Sequence, residues 1–208
     1  MSPRRFIVFE GGEGAGKSTQ VQRLADALRA RGDTVLTTRE PGGSPGAEAI
    51  RGLLVSGDVA RWSAESEALL INAARVDHLN RTIRPALSKN HWVICDRFAD
   101  STMAYQGYAM GLDRDWLETL RKRVVGDTEP GLTLVFDLPV DVGLSRAVDN
   151  QRYEKMGRAF HETLRAAFQE IAKSPDGRKR MVIDASKSVD EVAQQVLRAV
   201  TAAYGLKA

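Results

Sequence analysis

Apolar residues concentrate in five short runs, at 6–9, 34–38, 92–95, 132–137 and 181–184, and recur every three or four positions in the stretches between. The short runs predict buried strands and the longer period predicts helices. Strand and helix in alternation predict an α/β fold: a five-stranded, mainly parallel sheet flanked by helices, joined by right-handed crossovers. Val189, Val192, Ala193, Val196, Leu197 and Val200 predict a terminal helix with Ser188 as its N-cap. Leu112, Trp116, Leu120 and Val124 predict another. Residues 64–87 read as one long helix carrying Leu69, Leu70, Ala73, Val76, Leu79 and Ile83, with Pro85 as a breaker near its end. So apolar a helix suits either a plain core position or one face on the sheet and another on a partner subunit. Residues 40–46, 148–151 and 174–177 read as loops.

At 208 residues the chain is expected to form a single domain over 1–208. Its net charge of +3, with no basic run longer than Arg178-Lys179-Arg180, itself expected to be a solvated loop, gives no reason to invoke nucleic acid. Cys95 is the one cysteine and lies in a strand pattern, which excludes an intramolecular disulfide and points to the core. With no apolar leader, and nothing near the roughly 20 apolar residues of a membrane span, the cytoplasm is the expected compartment and no membrane is involved.

The sharpest signal is Gly11-Gly12-Glu13-Gly14-Ala15-Gly16-Lys17-Ser18, a full match to the phosphate-loop pattern. A strand-like run precedes it, and a helical stretch with Val21, Leu24, Ala25 and Leu28 on one face follows, the context the motif requires. Glycines allow backbone N–H groups to turn inward around an anion, and a helix N-terminus adds partial positive charge. Lys17 is placed to reach terminal phosphates and Ser18 to hold Mg2+. The chain is therefore expected to bind a nucleoside triphosphate.

Asp96-Arg97 follows the third strand run. An acid at that strand end suits the Mg2+ shell, while the fork-shaped guanidinium beside it suits a second anion. A phosphate acceptor, already anionic, needs no general base, so catalysis reduces to positioning and charge neutralisation. His78, His91 and His161, none near a nucleophile, are expected to be structural or exposed. Arg146, Arg152 and Arg158, on a polar stretch after the fourth strand, are candidates for a segment that closes over the phosphates.

These segments, taken together, resemble the bacterial thymidylate kinase (dTMP kinase) family, in the nucleoside monophosphate kinase group, nearly end to end. The resemblance rests on residues 9–19, Thr38-Arg39-Glu40-Pro41-Gly42-Gly43, Ala73-Ala74-Arg75, Asp96-Arg97-Phe98 and residues 101–107. It implies a P-loop NTPase-type three-layer fold and transfer of the γ-phosphoryl of MgATP to dTMP, in dTTP biosynthesis, by a homodimer. Gly11 to Thr19, with Ala185 and Ser186 at the adenine, would bind ATP. Glu13 would touch the acceptor 3′-hydroxyl, Arg97 the acceptor phosphate, and Arg75 and Gln106 the thymine edge, with Ser101 nearby. Tyr105 would pack on the sugar, Glu40 and Pro41 would belong to the acceptor loop, and Ser18 and Asp96 would organise Mg2+. Without an arginine inside the phosphate loop, a short lid near 146–158 would supply one: Arg152 first, Arg146 second. One departure stands out, since Ile71 occupies the place of the usual aromatic that stacks on thymine. Two alternatives remain open, a kinase with a different deoxynucleotide acceptor and an ATP-binding module with little catalysis.

Overall fold

The computed structural model describes residues 4–146, 152, 153 and 155–206. Five strands form one sheet in the order β2-β3-β1-β4-β5: β1 (Phe6–Gly11), β2 (Val35–Arg39), β3 (Trp92–Asp96), β4 (Leu132–Asp137) and β5 (Arg180–Asp184). Every neighbouring pair is parallel, and β1 lies at the centre with Phe9 opposite Asp96 and Gly11 opposite Phe136. All strand carboxyl ends therefore share one edge, where ligands of open α/β sheets bind.

β1 is buried on both faces, which is why its run is apolar without a period of two. Ile7 and Phe9 pack with Leu24 and Leu28 of α1 (Lys17–Ala30) and Val192, Val196 and Val200 of α9 (Val189–Tyr204). Phe6 and Val8 pack on the opposite face with Leu79, Ile83 and Phe98. A third cluster joins Val135 to Tyr105 and to Leu164 and Phe168 of α8 (Arg158–Ala172). Three layers result, as the alternating pattern predicts.

The long helix expected over 64–87 is α3 (Ala64–His78), a π-helical turn over Leu79–Ile83, and α4 (Arg84–Ser88). Pro85 does not break it; the helical path continues to Ser88, with the π-helical turn placed just before the proline. Helix α6 (Arg114–Val125) buries Leu117, Arg121 and Val125, one position on from the apolar stripe expected. Arg121 lies at the centre of that face because it is paired with Glu118 and Glu129, and apolar periodicity does not register a buried ion pair. Arg180 likewise is no solvated residue: its side chain is buried between Asp100 and Asp176. Ser188 caps α9 in a reciprocal box with Glu191, as expected. Three helices lie outside the elements expected: α2 (Pro45–Val55), inside a glycine-rich stretch; the short α7 (Val140–Arg146); and α8, although its buried Leu164, Ala167, Phe168 and Ile171 recur at helical spacing. The short α5 (Ala99–Thr102) continues into a π-helical stretch over Met103–Ala109.

Candidate active site

The phosphate loop leaves β1 and enters α1 through glycines that other residues cannot replace. Gly14 has φ +65°, and a Cβ there would collide with the Gly143 carbonyl of α7. Gly16, at φ +77°, is the N-cap of α1 and leaves the first-turn N–H groups without a side-chain cap or an acidic neighbour. That uncapped N-terminus is a ready site for an anion. Lys17 is folded back over the loop, donating Nζ–H to the carbonyls of Gly12 at 2.6 Å and Gly11 at 3.1 Å. Burial, reinforced by Arg97, lowers the Lys17 ammonium to about 8 against the pull of Asp96, Glu13 and Glu10. Ser18 Oγ donates to Asp96 Oδ2 at 2.7 Å.

The hydroxyl and carboxylate of Ser18 and Asp96 are hard oxygen donors beside the loop, and they fit Mg2+. Among the described residues no group of three or more His, Cys, Asp or Glu could hold a metal. An ion here would take its other ligands from phosphate and water, the habit of Mg2+ rather than of Zn2+ or Ca2+.

Across the loop stands Arg97, at φ +68°, a left-handed conformation costly for a residue with a side chain. It is held there from several sides. Its N–H donates to Phe9 O at 2.8 Å, and Nη1 donates to Gly11 O at 2.9 Å. Nη2 donates to Glu13 Oε1 at 2.8 Å, and Tyr105 donates its hydroxyl to the same oxygen at 2.7 Å. Burial works to raise the Glu13 carboxyl, but Arg97, Lys17 and the Tyr105 hydroxyl overcome it and hold it at about 2. Beneath Arg97, the fully buried Glu10 accepts from the N–H groups of Phe98 and Ser101 at 2.9 and 3.1 Å and from Ser101 Oγ at 2.5 Å. Glu10 thus caps the helical segment that begins at Ala99 and fixes where the chain turns after Arg97.

The far wall comes from α3 and the loop after β2. Arg75 is 2% exposed and donates Nε–H to Glu40 at 2.7 Å, Nη1–H to Asn72 Oδ1 at 3.1 Å, and Nη2–H to Phe98 O and Thr102 Oγ1 at 3.1 and 3.0 Å. His78, buried, bridges Glu40 Oε1 at 3.0 Å and Thr38 Oγ1 at 2.7 Å. Its role is structural, as expected, and Glu40 is the anchor it shares with Arg75. Arg51 of α2 donates to the Pro41 carbonyl at 2.8 Å. Together these elements enclose a cleft of about 820 Å3 running from the phosphate loop to Ile71, Arg75 and Gln106 on one side and to Arg146 and Lys187 on the other.

A thymidylate kinase family model matches residues 9–196. Thymidylate kinase of Caulobacter vibrioides is 53% identical over 205 residues, covering 97% of this chain and 98% of that protein. Thymidylate kinase of Afipia carboxidovorans is 50% identical, covering 92% of this chain and 86% of that protein. Among solved structures, thymidylate kinase from Ehrlichia chaffeensis superposes with a TM-score of 0.78 at 32% identity, covering 94% of this chain and 97% of that one.

The chain belongs to the thymidylate kinase family.

The structure brings most of the expected site of a thymidylate kinase to one cleft. Glu13 to Thr19, Glu40, Pro41, Ile71, Arg75, Asp96, Arg97, Ser101, Tyr105, Gln106 and Arg146 line it. Ser101 is turned to Glu10 through its hydroxyl. Ala185 is buried, and its carbonyl takes Arg146 Nη1 at 3.4 Å; Ser186 is exposed and bonded to Asp184. Arg152 is placed differently from its expected lid position. It is 2% exposed, paired with Glu67, and donates to the carbonyls of Asp58 and Val59 at 2.9 and 2.6 Å. Arg158 lies on the surface with Asp141 and Glu162. Residues 147–151 of the expected lid segment, and Glu154, lie outside the described residues. The sequence reading missed Arg39, Arg51, Thr102, Tyr153 and Lys187 as cleft residues. Arg39 and Thr102 sit inside segments that carry the family resemblance, a signal that was present; Arg51 lies in a helix no periodicity revealed.

Proposed function

We propose that this protein transfers the γ-phosphoryl group of MgATP to dTMP, producing dTDP and ADP on the way to dTTP. The observation that carries this is Arg97, fixed opposite the phosphate loop by the carboxylate of Glu13, a residue of that same loop. An acceptor phosphate gripped by Arg97 has an anionic oxygen facing the γ-phosphorus. That oxygen bonds to phosphorus while the bond to the β,γ-bridging oxygen breaks, and no proton needs to be removed. Lys17 and the α1 N-terminus take up the donor charge. Ser18 and Asp96 would hold Mg2+, which would supply positive charge to offset that of the donor phosphates. Tyr105 packs below the acceptor sugar, and Arg75 and Gln106 face the base. Arg146, beside Ala185, is the lid-side arginine that reaches the cleft of this single kinase domain.

Two further readings accompany this one. The exposed apolar residues of α3, Leu69 at 50% and Val76 at 41%, support a homodimer through that helix, which light scattering checks. The lone buried thiol of Cys95 supports a reducing compartment, the cytoplasm. No helix among the described residues is long and apolar enough to cross a membrane. Ile71, which lines the cleft where a stacking ring would add base affinity, favours a second reading in which another deoxynucleoside monophosphate competes as acceptor. Ranking dTMP, dUMP, dCMP and dAMP by kcat/KM decides. dTMP is expected to lead, and a different leading acceptor, or no turnover with any of them, overturns the assignment.

A further inference from the structure

Glu67 sits in the first turn of α3, fully buried, one and two turns before Ile71 and Arg75. Its Oε1 is paired with the Arg152 guanidinium. Its Oε2 accepts from Tyr153 Oη at 2.9 Å and from Gln106 Nε2 at 3.0 Å. A carboxylate paired with an arginine accepts hydrogen bonds and donates none. It therefore dictates which end of the Gln106 amide it meets. The amide nitrogen must face Glu67, although both orientations have the same shape. The other end, Gln106 Oε1, is buried with no hydrogen-bond partner among the described residues, in a side chain that lines the cleft. A buried acceptor without a donor is unfavourable until a ligand supplies one.

We propose that Glu67 is a specificity-determining positioning residue: by fixing the Gln106 amide it makes the cleft wall demand a base with a ring N–H, and Arg152 acts through it by holding the other carboxylate oxygen. This rests on the reading of the cleft as the acceptor site. Thymine and uracil present an N3–H donor. Cytosine presents a bare N3 acceptor there, so two acceptors would face each other. Selection against cytosine is thus set one residue behind the group that touches the base.

The test is kcat/KM for dTMP, dUMP and dCMP in the wild type, Glu67→Gln and Glu67→Asp. Both variants disturb packing, but only the glutamine can present an N–H to Gln106 and let its amide turn. Glu67→Gln is expected to reduce the dTMP-to-dCMP preference on the order of 10-fold or more, with the dTMP-to-dUMP ratio within about 2-fold. Glu67→Asp is expected to keep the dTMP-to-dCMP preference within about 3-fold, whatever its overall rate. Proportional loss for all three acceptors in Glu67→Gln overturns the proposal and leaves the kinase assignment standing. A wild type that prefers dCMP overturns the kinase assignment itself. Should Glu67→Gln not fold, wild-type binding of 3-methyl-dTMP decides. Without its N3–H it is expected to bind on the order of 10-fold more weakly than dTMP, and equal binding overturns the proposal.

Discussion

Arg97 Nη2 donates to Glu13 Oε1 across 2.8 Å, so the arginine aimed at the acceptor is braced by the loop that cradles the donor. Donor and acceptor sites are thereby one unit: a shift in either side chain changes the separation of the two phosphates. Arg97→Lys keeps the charge but loses the fork that reaches both Gly11 O and Glu13. It is expected to lower kcat/KM for dTMP on the order of 100-fold, while KM for ATP stays within about 3-fold. Steady-state kinetics with each substrate varied in turn checks this.

The two lid-side arginines should separate by phenotype. Arg146→Ala, exposed and next to Ala185, is expected to raise KM for ATP or lower kcat with the melting temperature nearly unchanged. Arg152→Ala strands the buried Glu67 carboxylate, and breaking such a pair costs about 3–5 kcal/mol. Its expected signature is a fall in Tm of about 10 °C or more by calorimetry. A stable Arg152→Ala protein with kcat reduced several hundred-fold would mean that the arginine leaves Glu67 to reach the phosphates.

Glu10 should make stability depend on pH. Burial first, and Asp100 second, raise its carboxyl from 4.5 to about 7. Between those values the folded protein binds a proton that the unfolded chain has released, so the contribution of Glu10 is full below about pH 4.5 and lost as pH rises through about 7. Glu10→Gln removes the ionisation. Its Tm relative to the wild type is expected to become more favourable from pH 5 to pH 8, by about 2–4 °C per kcal/mol. A difference that does not vary with pH would show that Glu10 does not titrate there.

Ile71→Phe tests the base pocket. Ile71 is half-buried in the cleft wall, on the same face of α3 as Glu67 and Arg75. Stacking on an aromatic ring contributes about 1–3 kcal/mol per base, of which an aliphatic side chain recovers part. The substitution is expected to lower the Kd for dTMP about 5-fold by calorimetric titration, with ATP affinity unchanged.

Much of this was legible in the sequence because it is local. The phosphate loop, the Ser188–Glu191 box of α9 and the apolar run of β1 each carry their cause within a few residues. What escaped is long-range or ionic. Helix α2 hides behind glycines and a proline, and it packs against α3. Arg180 looks solvated in the sequence, but Asp100, 80 positions earlier, buries it; Arg121 is buried by nearby acids, Glu118 and Glu129, which apolar periodicity does not register. Arg152 was read as a phosphate-facing lid residue because its neighbours resemble a lid. Its partner Glu67 lies 85 positions earlier, and nothing in the local pattern connects them. Charge pairing across the fold, rather than hydrophobic order, separates the legible from the hidden part of this site.

Product analysis tests the central claim most directly. Purified protein incubated with MgATP and dTMP, its nucleotides resolved by ion-exchange chromatography, is predicted to yield dTDP and ADP in a 1:1 ratio, with no ADP formed when dTMP is omitted. ADP without dTDP, or no consumption of either substrate, would contradict the account.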